Sequence, residues 1–418
     1  MLNVLSTTWA LLLGVMLLMV GNSVQGTLLG IRGSLEGFST FQMSIVMSGY
    51  FLGFLFGSRL APVMIQRVGH VRVFAALGSL ISAVLVLYPV LPEVWTWTLL
   101  RVLIGFSFSG IYVTTESWIN NAATNETRGQ ALAAYMIVQM IGIIAGQAFL
   151  NMGDPSGFVI FILPAVLVSL SFLPILLTAG QAPKFEAITA MSFRRLFAVS
   201  PLACVGIFLS GGVYSAVMGM AAVWGMLVGL NVAQISVFVS AIYVGGLLLQ
   251  YPAGWLSDRM DRRQLILALA VAGALAMTIG AWPGLGFWTL IGLAVILGGV
   301  VNPLYALLIA HTNDYVSREE MAGASSGMLF LNGLGAVIGP LITGWMMDGW
   351  GPGGFFLFMA ANFVLLALYA AWRMTRRPSP AGGSLHPIAP MASAIAVEAV
   401  LDDTTEATAP AEVATPRE

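Results

Sequence analysis

Twelve apolar runs, each close to twenty residues long, constrain this chain more than any other feature. They lie near 9–29, 41–60, 71–90, 97–118, 129–150 and 158–178, and again near 200–220, 233–252, 264–282, 287–309, 325–345 and 354–372. Crossing the hydrocarbon core of a bilayer takes about 20 helical residues, and a helix satisfies its backbone polar groups internally where no water can. Of the 418 residues 58% are hydrophobic and only 8% charged, with a mean hydropathy of +0.91. A soluble domain needs about a quarter of its residues charged. A water-soluble fold is therefore excluded, and the expected class is an all-α membrane protein of twelve transmembrane helices. The first run lacks a basic leading segment and a cleavage site, so it reads as a spanning helix and not as a signal peptide.

Several function classes fall away on composition. A net charge of −1 offers no electrostatic footprint for nucleic acid. One cysteine, Cys204, and three scattered histidines, His70, His311 and His386, supply neither a disulfide framework nor a metal cluster. No glycine-rich phosphate loop is present, so ATP is not the expected energy source. No serine in a span has a plausible base partner. An enzyme is not expected, and no cofactor is.

The basic residues orient the chain. With both termini cytoplasmic, fifteen of the seventeen Lys and Arg fall on the cytoplasmic side, all but Arg32 and Arg101. The positive-inside rule favours that arrangement. The outer loops then carry Glu36, Glu93, Asp154 and Asp348.

The chain also repeats. At an offset of 193, Tyr50 falls on Tyr243, Gly53 on Gly246, Gly105 on Gly298, Tyr112 on Tyr305, Gly142 on Gly335 and Gly146 on Gly339; at 192, Arg67 falls on Arg259. A register held across several helices points to two pseudo-symmetric six-helix bundles, over 1–180 and 200–377. A cytoplasmic linker, 181–199, joins them. The last 41 residues, 378–418, rich in Ala, Pro and Thr, cannot bury a core and read as a disordered tail. Parallel repeats about an axis along the membrane normal place a single substrate site at the midplane between the halves.

The loop after the eighth span, Gly254-Trp-Leu-Ser-Asp258-Arg259-Met-Asp261-Arg262-Arg263, resembles the cytoplasmic signature G-x-L-x-D-R-x-G-R-R of the major facilitator superfamily. The first-half copy is eroded to Pro62, Gln66, Arg67, Gly69, His70 and Arg72. In the fourth span, Arg101 followed by Gly105 resembles the family's R-x-x-x-G motif. The stretch Glu116-Ser-Trp-Ile-Asn120, Arg128-Gly129, Tyr135-Met-Ile and Gly146-Gln147 is similar to the bacterial YcaD-like branch. The exporter pattern G-x-x-x-G-P lacks its proline in span 5, where Gln147 stands, and is intact in span 11 at Gly335–Pro340. The resemblance implies the major facilitator fold and a secondary active transporter working by alternating access. A drug or metabolite exporter of the same fold and a transport-inactive sensor or scaffold are the alternatives.

Polar side chains within spans must face protein or water. The candidate substrate cavity is Asn22 and Gln25 in span 1, Tyr50 in span 2, Arg101 and Tyr112 in span 4, and Gln139 in span 5. The second half adds Tyr214 and Ser215 in span 7, Tyr243 in span 8, Asn302 and Tyr305 in span 10, and Asn332 in span 11. Together they describe a hydrogen-bonding, aromatic-lined site with one cation. Arg101 is either a cavity group for an anionic moiety or a side chain snorkelling to the interface. Glu116 lies on the same stripe, about 22 Å along the helix, too far to pair with it. It is expected to latch to Arg67, Arg72 or Arg128. With Asp258, Arg259, Arg262 and Arg263 these form the candidate cytoplasmic gate, which His311 and Asp314 join. Any one polar residue could equally be interhelical glue, contributing roughly 0.6 kcal/mol. The expected partners are a small-molecule substrate, protons as a candidate coupling ion, and membrane lipid, with the chain acting as a monomer.

The orientation is testable with impermeant thiol reagents on intact cells, in a Cys204→Ser background. A cysteine replacing Asp154 or Asp348 should be labelled, and one replacing Lys184 should not; labelling at Lys184 alone would invert the topology.

Overall fold

The structure is a computed structural model that describes residues 2–122, 128–177 and 191–376; at positions 2–8, 121–122, 128–129 and 318–319 only the backbone is described. The linker residues 178–190, with Lys184, and the tail from 377 onward lie outside the described residues.

The first half holds α1 (Leu2–Leu35), α2 (Thr40–Val68), α3 (His70–Leu87), α4 (Val94–Ala122) and α5 (Arg128–Phe149), then the pair α6 (Val159–Ser171) and α7 (Leu173–Leu177). After a short α8 (Phe193–Val199), the second half holds α9 (Pro201–Leu227), α10 (Val232–Ser257), α11 (Arg262–Gly280), α12 (Phe287–Asn313), α13 (Arg318–Trp350) and α14 (Gly354–Met374). Twelve of these segments, with α6 and α7 counted as one, are long and apolar enough to cross a membrane. The sixth span breaks at Phe172 because Pro174 cannot donate into the helix and disfavours a helical residue before it. The linker carries α8, which seven residues are too few to announce by periodicity.

The repeat is written into the turns. Gly37 and Gly229, 192 apart, both adopt positive φ, 79° and 78°, a region that glycine enters without strain. Each is followed by the same capping box. Ser39 accepts from the Gln42 backbone while the Gln42 side chain accepts from Ser39, and Asn231 and Gln234 do likewise. Both devices satisfy two orphan donors at a helix start.

The same register governs packing. Helix α2 packs on α4 as α10 does on α12, α1 on α5 as α9 on α13, and α3 on α6 as α11 on α14. Small residues let these backbones touch. A Cβ at Gly105 would lie 1.8 Å from the Tyr50 carbonyl oxygen, and one at Gly298 would lie 1.7 Å from that of Ile242. Gly146 sits on the Val20 carbonyl and Ser23, and Gly339 on the Gly212 carbonyl and Ser215, again partners 192 apart.

Call the face carrying the α1–α2 and α9–α10 turns the far face, and the opposite one the termini face. At the far face the halves are pressed together. Ile31, Ala222 and Ile235 form a buried cluster, the Phe41 backbone donates to Asp348 at 3.2 Å, and Ser44 fills the space beside Gly344. Helix α13 continues along α2, where Ser48 donates to the Val337 carbonyl at 2.8 Å and Arg59 lies 4.2 Å over the Phe330 ring. Helices α4 and α12 do not pack along one another in this way, and the space they flank belongs to the cavity described below.

Two glycines of α12 test this packing. Gly298→Ala forces a methyl into the Ile242 carbonyl and should lower the melting temperature of the purified protein sharply. Gly292→Ala meets no atom within 4 Å, and should raise stability by about 0.5–1 kcal/mol through helix propensity alone.

Candidate functional site

A central cavity lies between the halves, with walls from α1, α2, α4 and α5 on one side and α9, α10 and α12 on the other. Of the predicted cavity residues, Asn22, Tyr50, Arg101, Tyr112, Gln139, Tyr214, Tyr243 and Asn302 line it. Both helix pairs whose backbones touch at glycine deliver side chains to it: Tyr50 and Tyr112 from α2 and α4, Tyr243 and Asn302 from α10 and α12.

Arg101 is buried, at 4% exposure. Its Nη1 donates to Gln25 Oε1 at 2.8 Å, its Nη2 approaches Met47 Sδ at 3.5 Å, and its guanidinium lies 4.8 Å from the centre of the Tyr50 ring. The side chain turns inward and does not reach for an interface. Gln25 is 1% exposed and accepts from Arg101, outside the cavity wall itself.

The rings form a continuous wall. Tyr50 stands edge-on to Phe51 at 5.2 Å and near Phe54 and Phe108 at 6.3 and 6.4 Å; Tyr112 neighbours Phe54 at 6.1 Å. Tyr112 donates to Met19 Sδ at 3.4 Å, and Tyr243 donates to Met218 Sδ. Such pairings satisfy the phenols with soft acceptors.

Three more predicted positions fall elsewhere. Asn332 is buried in the α9–α13 interface, donating to the Ile207 carbonyl at 3.3 Å, which is the glue role. Tyr305 is packed into the hydrophobic core at 2% exposure. Ser215 bonds back to the Gly212 carbonyl at 3.0 Å beside Gly339. Other wall residues were not anticipated. Gln147 is 2% exposed and donates to Ser23 Oγ at 2.7 Å and to Thr27 Oγ1 at 2.9 Å, and all three line the cavity with Phe51, Phe54 and Met218. The spacing Asn22, Ser23, Gly26, Thr27 is a small polar stripe on one helix face, a signal that could have found them.

Glu116, expected to latch to Arg67, Arg72 or Arg128, faces the interior. It is 3% exposed, lines the cavity near the termini face, and accepts from Tyr135 at 3.3 Å. Arg67 and Arg72 are exposed. Arg128 opens α5, but its side chain is outside the described residues. The second-half motif is folded inward instead. Arg262 pairs with Asp314 and donates to Ser257 Oγ at 3.3 Å, while Arg263 pairs with Asp261 at 2.8 Å. Asp258 is exposed, and Arg259 stacks 3.9 Å over Trp255. Burial pushes the Asp314 carboxyl above its usual range while Arg262 pulls it down, the opposed balance of a buried ion pair. In the first half His70 occupies the place of Arg262, 192 residues earlier, and meets Ser117 Oγ at 3.0 Å and the Trp118 ring at 6.2 Å. His311 is buried beside Tyr315, with ring centres 5.2 Å apart.

Two segments of the chain, 11–230 and 203–403, match the family model described as Major Facilitator Superfamily. A Salmonella arizonae protein named an uncharacterized MFS-type transporter, YcaD, is 26% identical over 377 residues, 88% of this chain and 96% of that one. Its Escherichia coli O7:K1 counterpart is 27% identical over 367 residues, 86% and 94% of the two chains. Among solved structures, the nucleoside transporter NupG superposes with a TM-score of 0.71 at 16% identity, covering 87% of this chain and 99% of that one. A D-xylose-proton symporter gives 0.68 at 17% identity, over 91% and 99%.

The buried ion pair at the termini face generates a test. Asp314→Asn leaves the Arg262 guanidinium buried without its counter-ion, a loss of about 3 kcal/mol, and should lower the melting temperature clearly. Glu93→Gln, at an exposed position, should leave it unchanged.

Proposed function

Because the chain belongs to the major facilitator superfamily, we propose that it is a secondary active transporter, moving a small organic solute across the bacterial inner membrane by alternating access. The observation that carries this reading is the central cavity, walled by both halves and sealed at the far face. With both termini cytoplasmic, as the basic residues favour, the cavity belongs to an inward-facing state. The solute is held by carboxamides, phenols and rings contributed by both halves, so rocking one half against the other transfers it without moving the site. The likeness to a nucleoside transporter and to a D-xylose-proton symporter supports a small solute and protons as coupling ion. Gln147, standing where exporters carry a proline, gives its amide to the cavity wall; this favours the general solute reading over the exporter one. The unit of function is a monomer.

Gln139→Cys in a Cys204→Ser background tests the motion. A small impermeant thiol reagent should label it rapidly from the termini side and more slowly from the far side, as the protein visits the opposite state. Linking Phe41→Cys to Asp348→Cys with a short bifunctional reagent should abolish far-side labelling and leave the other intact. Far-side labelling that is absent, or indifferent to the link, overturns alternating access.

A further inference from the structure

Arg101 is a buried cation with no carboxylate beside it. The ion pairs seen among the described residues join Arg32 to Glu36, Arg195 to Glu320, Arg262 to Asp314 and Arg263 to Asp261; none involves Arg101. Its contacts are a neutral carboxamide oxygen, a thioether and the face of a phenol. Glu116, the other charged side chain among the described residues lining the cavity, lies about 22 Å along α4. Isolated charges in a low-dielectric interior are costly unless paired, so this site is incomplete as it stands.

The unused polar atoms say what completes it. Arg101 Nε and Gln25 Nε2 are both buried and both without a hydrogen-bond partner. Both are donors. The Tyr88 hydroxyl is likewise buried without a partner and can donate. Spare donors around a guanidinium call for an acceptor carrying negative charge, and the planar fork of arginine matches a carboxylate bidentately. The repeat shows that this feature is not demanded by the fold: 193 residues on, Arg101 is replaced by Ala294, also fully buried.

We propose that Arg101, positioned by Gln25 behind it, forms the carboxylate subsite of the transporter and that the transported solute is a monocarboxylate with a flat ring. The ring is argued from the wall next to the subsite. Tyr50 touches the guanidinium and also lines the cavity with Phe51, Phe54, Tyr214 and Tyr243. Offset or edge-to-face contacts with such a wall favour a planar body over a branched one. A single carboxylate is argued from charge. A second anionic group in the cavity would find no further cation among the described lining residues.

This inference rests on the transport reading, but its test does not use transport. Purified protein is titrated with benzoate, 4-hydroxybenzoate and indole-3-acetate, with their primary amides, and with phthalate as the dianion, following melting temperature and tryptophan fluorescence. At least one monocarboxylate should stabilise the protein in a dose-dependent way, and its amide and phthalate should not. Arg101→Lys keeps the charge and loses the fork, so affinity should fall tenfold or more. Gln25→Glu is the sharper variant. It places a carboxylate where Arg101 already donates, so the unliganded protein should melt higher than wild type and no longer respond to the acids. The proposal is overturned if no acid binds, if amides bind as well as acids, or if Gln25→Glu melts lower and still binds acids with wild-type affinity. Failure here with alternating labelling of Gln139→Cys intact would refute the ligand class and leave the transporter standing.

Discussion

Everything in this molecule hangs on backbones that touch. In a bilayer no hydrophobic gain draws one apolar helix to another, so close approach and the dispersion it permits must hold the bundles. The contacts at Gly105 and Gly298 bring α4 against the Tyr50 carbonyl and α12 against the Ile242 carbonyl. That same contact sets the rotation of each pair. It turns Tyr50 and Tyr112 inward in one half, and Tyr243 and Asn302 in the other. Packing and site are thus one arrangement, because the residue that sets the distance also sets the azimuth.

The fold was legible because its signal is carried by whole segments. Twelve runs of about the length of a bilayer, a basic bias toward one side and an offset of 192 to 193 each survive errors of several residues. The site was legible in part, since a polar residue in a span announces that it faces away from lipid but not which interior it faces. Asn22, Gln139 and Tyr214 turned toward the cavity; Asn332 turned into a helix seam and spent its amide on the Ile207 carbonyl. Spans this uniformly apolar offer little periodicity to read azimuth from. Aromatic walls such as Phe51 and Phe54 are invisible among twenty-three phenylalanines. Glu116 stands in the wall with Tyr135, one helix away, donating to it at 3.3 Å; its place on α4 was legible, and the ring beside it was not.

Duplication left two similar scaffolds that have since divided the labour. At the termini face of the second half Arg262, Asp314, Arg263 and Asp261 are drawn together; at the equivalent place in the first half His70 meets Ser117. Charge within the cavity resides in the first half, on Arg101 and Glu116 along one face of α4. The second half answers with phenols and carboxamides.

The far-face closure has a thermal consequence. Ile31, Ala222 and Ile235 meet there as a dry cluster, flanked by neutral contacts such as Ser236 to the Gln147 carbonyl. Parting them wets apolar surface and separates no ion pair of that cluster, so the work of opening carries a heat-capacity signature and weakens on cooling. The dry cluster answers to temperature, while the Asp348 carboxylate that accepts from the Phe41 backbone adds a charged contact between the halves at the same face.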